Sequence, residues 1–205
     1  MRYHVHKINN RDQIESCELF HINQYMWNSK IEPKTYGWVG YLENEGLYVK
    51  MVCDEVDPKR ECQNHKEMVC KDSAMEIFFA FTEIDEILTN GSMYLNFEIN
   101  ANGAMYAKYG KGRKNRQFIS EEEYEMTECK ATVEGKRWFL EVLFPEKFLN
   151  RVCDFERFKQ GNIFYCNFYK IAEYDPILHF GSYSPIENET PNFHLPVFFA
   201  EAVIE

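Results

Sequence analysis

Short segments in which apolar and polar residues alternate recur along most of the chain, and they limit the possible folds more than any other feature. Alternation with a period of two is typical of β-strands that turn one face to a core. Turn-forming pairs, among them Asn90-Gly91 and Asn102-Gly103, separate the segments at the close spacing of an antiparallel sandwich. The predicted strands span residues 46–52, 74–81, 93–99, 104–109, 129–133, 138–144, 162–171 and 199–204.

Helices are predicted to be few and short. They span residues 11–19, 121–125 and 146–150. Asn10 or Asp12 could cap the first helix, and Pro145 fits the first turn of the last one. No internal repeat or linker divides the chain, so residues 1–205 are expected to form a single domain. The predicted fold class is all-β: an antiparallel β-sandwich of the immunoglobulin or jelly-roll type with a few short helices.

The net charge and the cysteine content limit which partners the protein can bind and which cellular compartment suits it. Lys and Arg number 23 against 33 Asp and Glu, and the net charge of −10 leaves no basic field for nucleic acid. No apolar stretch is long enough to cross a bilayer, and the first residues lack the apolar run of a secretory signal. Seven Cys, an odd number without a repeating spacing, fit reduced thiols better than a disulfide framework. We therefore expect a cytoplasmic protein that binds neither nucleic acid nor membrane.

Four of the predicted strands carry an unusually polar face. In the strand at 93–99, Leu95, Phe97 and Ile99 share the core face, and the opposite face is polar. If the four strands are neighbours, one face collects Glu76, Asn96, Glu98, Asn100, Glu141 and Asn167. Carboxylates, amides and nearby aromatic rings suit the hydroxyls and apolar faces of a sugar. The alternative is that this face is simply the solvated side of an antiparallel sheet.

A series of sequence blocks resembles the family 9-like carbohydrate-binding modules, which belong to the DOMON-like β-sandwich superfamily. The blocks are Trp27 with Pro33, 46–49, 71–78, 94–103, 109–113, 138–141 with Pro145, Gly161 with 167–169, 179–185 and 192–196. They follow the order seen in that family and cover nearly the whole chain. Cys70 and Tyr183 stand at positions where the family often has Trp.

The resemblance implies a β-sandwich that binds a mono- or oligosaccharide without cleaving it, in polysaccharide catabolism. It also implies a ligand held between aromatic rings and, in some members, structural calcium. Tyr106, Tyr109 and Tyr183 are the candidate stacking rings, although Tyr106 and Tyr109 fall on opposite faces of one strand. The carboxylates and amides of the polar face would bind the sugar hydroxyls.

Arg113 and Arg116 form the one concentrated basic cluster of this acidic chain. Guanidinium groups offer paired donors, so Arg113 at the rim of the site could bind a carboxylate or phosphate on an acidic or phosphorylated sugar. The alternative is a solvated hairpin tip that balances the acidic run 121–123.

A zinc site is a further candidate. Cys53, Cys62, His65 and Cys70 are ligand types that suit tetrahedral zinc, although their spacing is unusual for such a site. The alternative is a charged loop with free thiols that act as small buried apolar groups.

Two other functions remain open at the level of sequence. Paired carboxylates such as Glu76 with Glu98 or Glu141 could serve as acid and base in the hydrolysis of O-glycosyl bonds, which requires a defined separation between them. The wider superfamily that these modules resemble includes haem-binding members with Met and His ligands. His179, His194 and the eight Met would allow that, but no C-x-x-C-H motif is present.

Overall fold

In the part of the chain that the structure describes, fourteen β-strands and two short α-helices form most of the regular structure. A computed structural model describes residues 1–82, 86–153 and 159–205, with Cys153 described by its backbone alone. The strands are β1 Arg2–Ile8, β2 Leu19–Ile22, β3 Gln24–Tyr25, β4 Thr35–Leu42, β5 Gly46–Asp54, β6 Ala74–Ala80, β7 Met93–Asn100, β8 Met105–Lys111, β9 Asn115–Phe118, β10 Glu128–Glu134, β11 Arg137–Pro145, β12 Ile163–Ala172, β13 His179–Ser182 and β14 Ala200–Ile204. The helices are α1 Glu121–Met126 and α2 Glu146–Cys153. All eight predicted strands are present, so the β-rich prediction is confirmed.

The strands follow one continuous path that folds over at β1. Its order is β10-β11-β5-β4-β1-β14-β12-β6-β7-β8-β9, with β2 beside β4 and β13 joining β12 to β3. We call β14, β12, β6, β7, β8 and β9 with β13 the front half, and β4, β5, β11 and β10 with β2 the back half. Strand β1 pairs with β14 through residues 2–5 and with β4 through residues 6–8.

Both pairings of β1 are parallel, whereas every other pairing in the described part of the chain is antiparallel. The prediction of an antiparallel sandwich is therefore correct for most of the fold, and β1 is the exception.

An aromatic core fills the space between the two halves. Phe144 of β11 packs against Phe79 of β6 and Phe97 of β7, with ring centroids 5.2 and 4.5 Å apart. All three side chains are completely buried. Because β11 belongs to the back half and β6 and β7 to the front half, these contacts define a β-sandwich.

Strand β4 did not stand out in the sequence because two glycines interrupt it. A Cβ at Gly37 would lie 2.6 Å from the ring of Phe20, and one at Gly40 would lie 2.7 Å from the side chain of Ile8. Neither position has room for a side chain, so glycine is required there by packing, although it weakens the strand pattern.

The predicted helix at 11–19 is wrong in type and extent. The segment forms a 3₁₀ helix at Arg11–Ser16, and strand β2 begins at Leu19. Asn10 is the cap, because its side chain accepts a hydrogen bond from the backbone N–H of Asp12. The other two helices agree with the prediction, and α1 begins with a capping box formed by Ser120 and Glu123.

The outer face of the front half is covered by a second layer of apolar groups. Phe78 and Tyr169 project from this face and are completely buried. Phe193, from the segment before β14, stacks on Tyr169 with ring centroids 4.1 Å apart. The polar face predicted from strand alternation is thus buried beneath loops, and a cleft remains where that cover is incomplete.

Candidate functional site

A cleft of about 290 Å3 opens on the outer face of β6, β7 and β8. Its lining consists of Trp27, Met68, Cys70, Glu76, Asn96, Glu98, Tyr106, Lys108, Arg113, Arg116, Ile171, Glu173, Phe180, Pro191, Asn192, Phe193 and His194. The strands supply the floor, and the segments around Trp27, Met68 and Phe193 supply the walls. Strands therefore hold the polar groups of the floor, while Trp27 and Phe193 of the walls come from loops.

Three polar side chains of adjacent strands form the floor of the cleft. Glu76 of β6 lies opposite Glu98 of β7, and Glu98 lies opposite Tyr106 of β8. Asn96, two residues before Glu98, donates a hydrogen bond of 2.9 Å from Nδ2 to the Glu98 carboxylate. Glu76, Asn96 and Glu98 are only 2, 1 and 7% exposed. This burial keeps bulk water from competing for their hydrogen bonds.

Burial and mutual repulsion keep the floor carboxyl groups protonated at unusually high pH. The pKa of Glu76 lies well above its usual 4.5 because of desolvation, with further repulsion from Glu98 and Glu173. Desolvation raises the pKa of Glu98 to about 7, against the lowering effect of the Asn96 hydrogen bond. In the described part of the chain, no group donates a hydrogen bond to Glu76. Its carboxyl group is therefore free to donate or accept toward a ligand.

Arg116 of β9 links the floor to one wall. Its Nη2 donates to the side-chain oxygen of Asn96 and, over 3.0 Å, to the carbonyl of Lys108. The guanidinium lies 3.6 Å from the centre of the Tyr94 ring, and the Tyr94 hydroxyl is 2.9 Å from Nδ1 of His194. Desolvation, reinforced by Arg116, lowers the pKa of His194 to about 3, so this imidazole is neutral.

Aromatic rings form the opposite wall. Trp27 packs against Phe180 and Phe193, with ring centroids 5.7 and 5.5 Å apart. Its backbone φ is 54°, a left-handed conformation that a bulky residue rarely adopts. The indole N–H donates a 2.7 Å hydrogen bond to the carbonyl of Asn188, which fixes the ring in place. Flat rings held in this way can stack on the apolar face of a pyranose.

Five of the ten predicted ligand-binding residues line the cleft. They are Glu76, Asn96, Glu98, Tyr106 and Arg113. The alternation within β6 and β7 correctly predicted which side of the sheet Glu76, Asn96 and Glu98 occupy.

Two predicted amides of the same face lie away from the cleft and support the backbone. Asn100 donates to the Asp72 carboxylate over 2.8 Å and accepts from the backbone N–H of Ala104 over 3.1 Å. The side chain of Asn167 accepts from the N–H of Ser184 over 2.9 Å and donates to its carbonyl over 3.2 Å. Both amides are completely buried, and their hydrogen-bonding capacity is used within the fold.

Glu141 is separated from the other floor residues by the sandwich itself. It lies on β11 of the back half, in register with Lys50 of β5 and Lys130 of β10, and it accepts from the Tyr48 hydroxyl over 2.8 Å. The assumption that its strand neighbours β6 and β7 is wrong, because residue alternation does not indicate which strands pair.

Two predicted stacking rings also lie elsewhere. Tyr109 packs against the core between the halves, since it occupies the face of β8 opposite Tyr106. Tyr183 is a core residue, with its ring centroid 6.1, 5.7 and 5.9 Å from those of Tyr3, Phe20 and Phe168, respectively. Neither ring lines the cleft.

The candidate zinc ligands are not brought together. Cys53 belongs to the core between the halves, whereas Cys70 lines the cleft on the front half. His65 stacks on Tyr124 and accepts the N–H of Met105 over 3.2 Å. Among the residues that the structure describes, no three His, Cys, Asp or Glu side chains are grouped so that they could hold a metal. The described residues therefore supply no cluster of carboxylates of the kind that calcium usually requires.

Several cleft residues were not predicted from the sequence. Trp27, Met68, Glu173, Phe180, Asn192, Phe193 and His194 come from loops or strand ends, whose approach to the floor no local pattern encodes. Lys108 could have been found, because it alternates with Tyr106 and must share its face. Arg116 was recognised as part of a basic cluster, but its contact with Asn96 was not.

A buried floor of carboxyl and amide groups beside aromatic walls, on the outer face of a β-sandwich, defines a protein that binds small polyhydroxylated molecules. The sequence profile of carbohydrate-binding family 9 matches residues 6–204. The chain belongs to carbohydrate-binding family 9, and the predicted resemblance is confirmed.

Solved structures share the fold. A Bacteroides uniformis protein proposed to bind carbohydrate is 20% identical, with a TM-score of 0.83, and the match covers 100% of this chain and 99% of that one. A family 9 carbohydrate-binding module from Caldicellulosiruptor kristjanssonii, solved with cellotriose and with glucose, is 12% identical with a TM-score of 0.71. Those two matches cover 100% of this chain and 94 and 96% of the module. A search of curated proteins gave no match.

Proposed function

We propose that this protein binds a mono- or oligosaccharide in the cleft without cleaving it. The observation that carries the proposal is the convergence of the buried polar floor and the aromatic walls on one cleft of the front half. The floor offers donors and acceptors for sugar hydroxyls, and the rings offer apolar faces. Family membership and the sugar complexes of the Caldicellulosiruptor module support the same function.

Glu76 is the residue on which binding depends most in this proposal. Its carboxyl group is almost completely buried, lines the cleft and has no hydrogen-bond donor within the described residues. A buried polar group without a partner is costly, and a sugar hydroxyl would satisfy it. Glu98 and Asn96 already bond to each other, so they provide the remaining acceptors and donors in a fixed geometry.

Hydrolysis is less well supported than binding. Catalytic carboxyl groups must flank a scissile bond, with one acting on the leaving oxygen and the other on the sugar carbon or a water. Glu76 and Glu98 instead lie side by side on adjacent strands of the floor. The other suggested partner, Glu141, lies on the back half. A binding role uses the arrangement of the floor without requiring groups on two sides of the ligand.

Haem binding is also less well supported. Both ring nitrogens of His179 are engaged, Nε2 with the Lys170 ammonium over 2.9 Å and Nδ1 with the Ile177 carbonyl over 2.6 Å. The side chain is completely buried, so it is not available as an axial ligand.

Calorimetric titration of the full chain with glucose and cellotriose would test the proposal. We expect binding at millimolar concentrations or tighter, or about −4 kcal/mol or better. Glu76→Ala should weaken it about tenfold, because a hydrogen bond to a charged or buried group is lost. Glu141→Ala is the matched control, since it removes the same carboxyl from the back half and should leave the affinity unchanged. A folded protein that binds no saccharide would contradict the proposal, as would equal affinity in the Glu76 variant.

The compartment is a separate part of the proposal. We propose that the protein works in the cytoplasm as a single domain that carries this site. All six cysteines whose side chains the structure describes are free, which a reducing compartment would maintain. In the described part of the chain, no helix has the length and apolar character needed to cross a membrane. Cell fractionation with an antibody against the protein would test the location.

A further inference from the structure

The wall of the cleft opposite the aromatic rings is cationic, although the protein as a whole carries a net charge of −10. Lys108, Arg113 and Arg116 all line this one cleft. Arg116 is used by the fold, through its bonds to Asn96 and to the carbonyls of Gly110 and Lys108. The side chains of Lys108 and Arg113 make no hydrogen bond or ion pair within the described residues.

Lys108 and Arg113 lack carboxylate partners within salt-bridge distance among the described residues. Lys108, which lines the cleft, places its ammonium 4.8 and 4.3 Å from the ring centres of Tyr106 and Phe118. Some other basic side chains of this acidic protein have such partners, as Lys66 does with Glu121, and others do not. Two cations left unpaired at one cleft, in a chain with an excess of acids, indicate a site kept open for an external anion.

The protonation states of the side chains that line the cleft increase its excess of positive charge. The raised pKa values of Glu76 and Glu98 mean that these carboxyl groups are wholly or partly uncharged near neutral pH. The lowered pKa of His194 leaves it neutral. Glu173 is the remaining carboxyl group of the lining. The three basic side chains of the lining therefore outweigh its acids, and the cleft is electropositive.

We propose that the cleft selects a saccharide that carries an anionic substituent, held by Lys108 and Arg113 while the sugar hydroxyls bond to Glu76 and Asn96. The inference rests on the proposed function, because it assumes that this cleft is the saccharide site. A carboxylate of a uronic acid and a phosphate ester share the required chemistry, since both accept paired charge-assisted hydrogen bonds from guanidinium and ammonium groups.

Titration calorimetry with matched sugars distinguishes this inference from the proposed function. The sugars are glucose, glucuronate and glucose 6-phosphate, each titrated at low and at high sodium chloride. We expect an anionic sugar to bind about tenfold more tightly than glucose at low salt, and the ratio to shrink at high salt through screening. The tighter of the two anionic sugars identifies the preferred substituent, and either result supports the inference.

Charge-removing variants of the wall give the control. In Lys108→Gln/Arg113→Gln the ratio of anionic to neutral affinity should fall to near one. Lys114→Gln removes one positive charge from the same hairpin outside the cleft lining and should preserve the ratio.

Equal affinity of wild-type protein for glucose and both anionic sugars would overturn the inference but leave the proposed function standing. Binding of inorganic phosphate as tightly as the sugar phosphate would also overturn it, because the sugar would then contribute nothing. Failure of all three sugars to bind would overturn the proposed function itself.

Discussion

Two groups of buried ionisable side chains differ in how completely they are paired. In the first, the Lys170 ammonium is completely buried between the Ser73 hydroxyl at 2.5 Å, the His179 imidazole at 2.9 Å and the Glu55 carboxylate at 3.4 Å. Glu55 also accepts from the Ser73 hydroxyl and from the indole N–H of Trp138, at 2.5 and 3.1 Å. We call this group the lysine cluster. Its members belong to both halves of the sandwich.

The cleft floor is the second group, and its carboxyl groups have too few donors. Burial raises the pKa of Glu98 to about 7 and also raises that of Glu76 well above its usual 4.5. Burial would also raise the pKa of Glu55, but the attraction of Lys170 and hydrogen bonds hold it below 4.5. The lysine cluster therefore stabilises the fold internally, whereas the floor keeps unused hydrogen-bonding capacity for a ligand. The same residue type, largely removed from water in both groups, has opposite roles depending on its donors.

Replacement of Lys170 should change the unfolding free energy more than the other substitutions do. Lys170→Met leaves the Glu55 carboxylate and the His179 imidazole without their shared partner, so we expect a loss of about 3–5 kcal/mol of unfolding free energy in urea. The double variant Lys170→Met/Glu55→Gln should recover part of that loss, because no buried charge remains unpaired. A loss below about 1 kcal/mol in the single variant would show that the cluster is not structural.

Glu98→Gln should stabilise the protein, whereas Lys170→Met should destabilise it. At pH 7.5 the wild-type floor must ionise a carboxyl group whose pKa is about 7 in the folded state and 4.5 in the unfolded state. Gln keeps the acceptor for Asn96 and carries no charge, so we expect a gain of about 2 kcal/mol over wild type at pH 7.5. At pH 4.5 the gain should vanish. A variant destabilised at both pH values would contradict the assigned protonation state.

The pH dependence of the unfolding free energy of the wild-type protein should distinguish the cleft floor from the lysine cluster. Glu98 binds its proton more tightly in the folded state, so its contribution falls as the pH rises from about 4.5 to 7. Glu55 binds its proton less tightly in the folded state, so its contribution is lost as the pH falls below 4.5. Urea titrations across this range should show the first slope become shallower in Glu98→Gln, with Glu76 supplying the remainder, and the second weaken in Glu55→Gln. Of the changes in unfolding free energy expected for Lys170→Met, Glu98→Gln and Glu55→Gln, the last should be the smallest.

Local alternation predicted the faces of the central strands well. It placed Phe97 in the core and Asn96 and Glu98 together on the other face, because side chains of a strand alternate regardless of what covers them. It could not show that this second face is also buried. The apolar residues that cover it, such as Phe193, lie far away in sequence and in a segment without regular periodicity.

The chain alone therefore determined the all-β class, the positions of most strands along the chain, the family resemblance and five of the residues that line the cleft. Tertiary structure decided the rest. It separated Glu141 from Glu76 by assigning their strands to different halves, and it placed Tyr183 in the core. It also brought Trp27, Lys108 and His194 around one cleft. The physical reason is that alternation and turns act over a few residues, whereas strand pairing and loop closure depend on contacts between residues far apart in the chain.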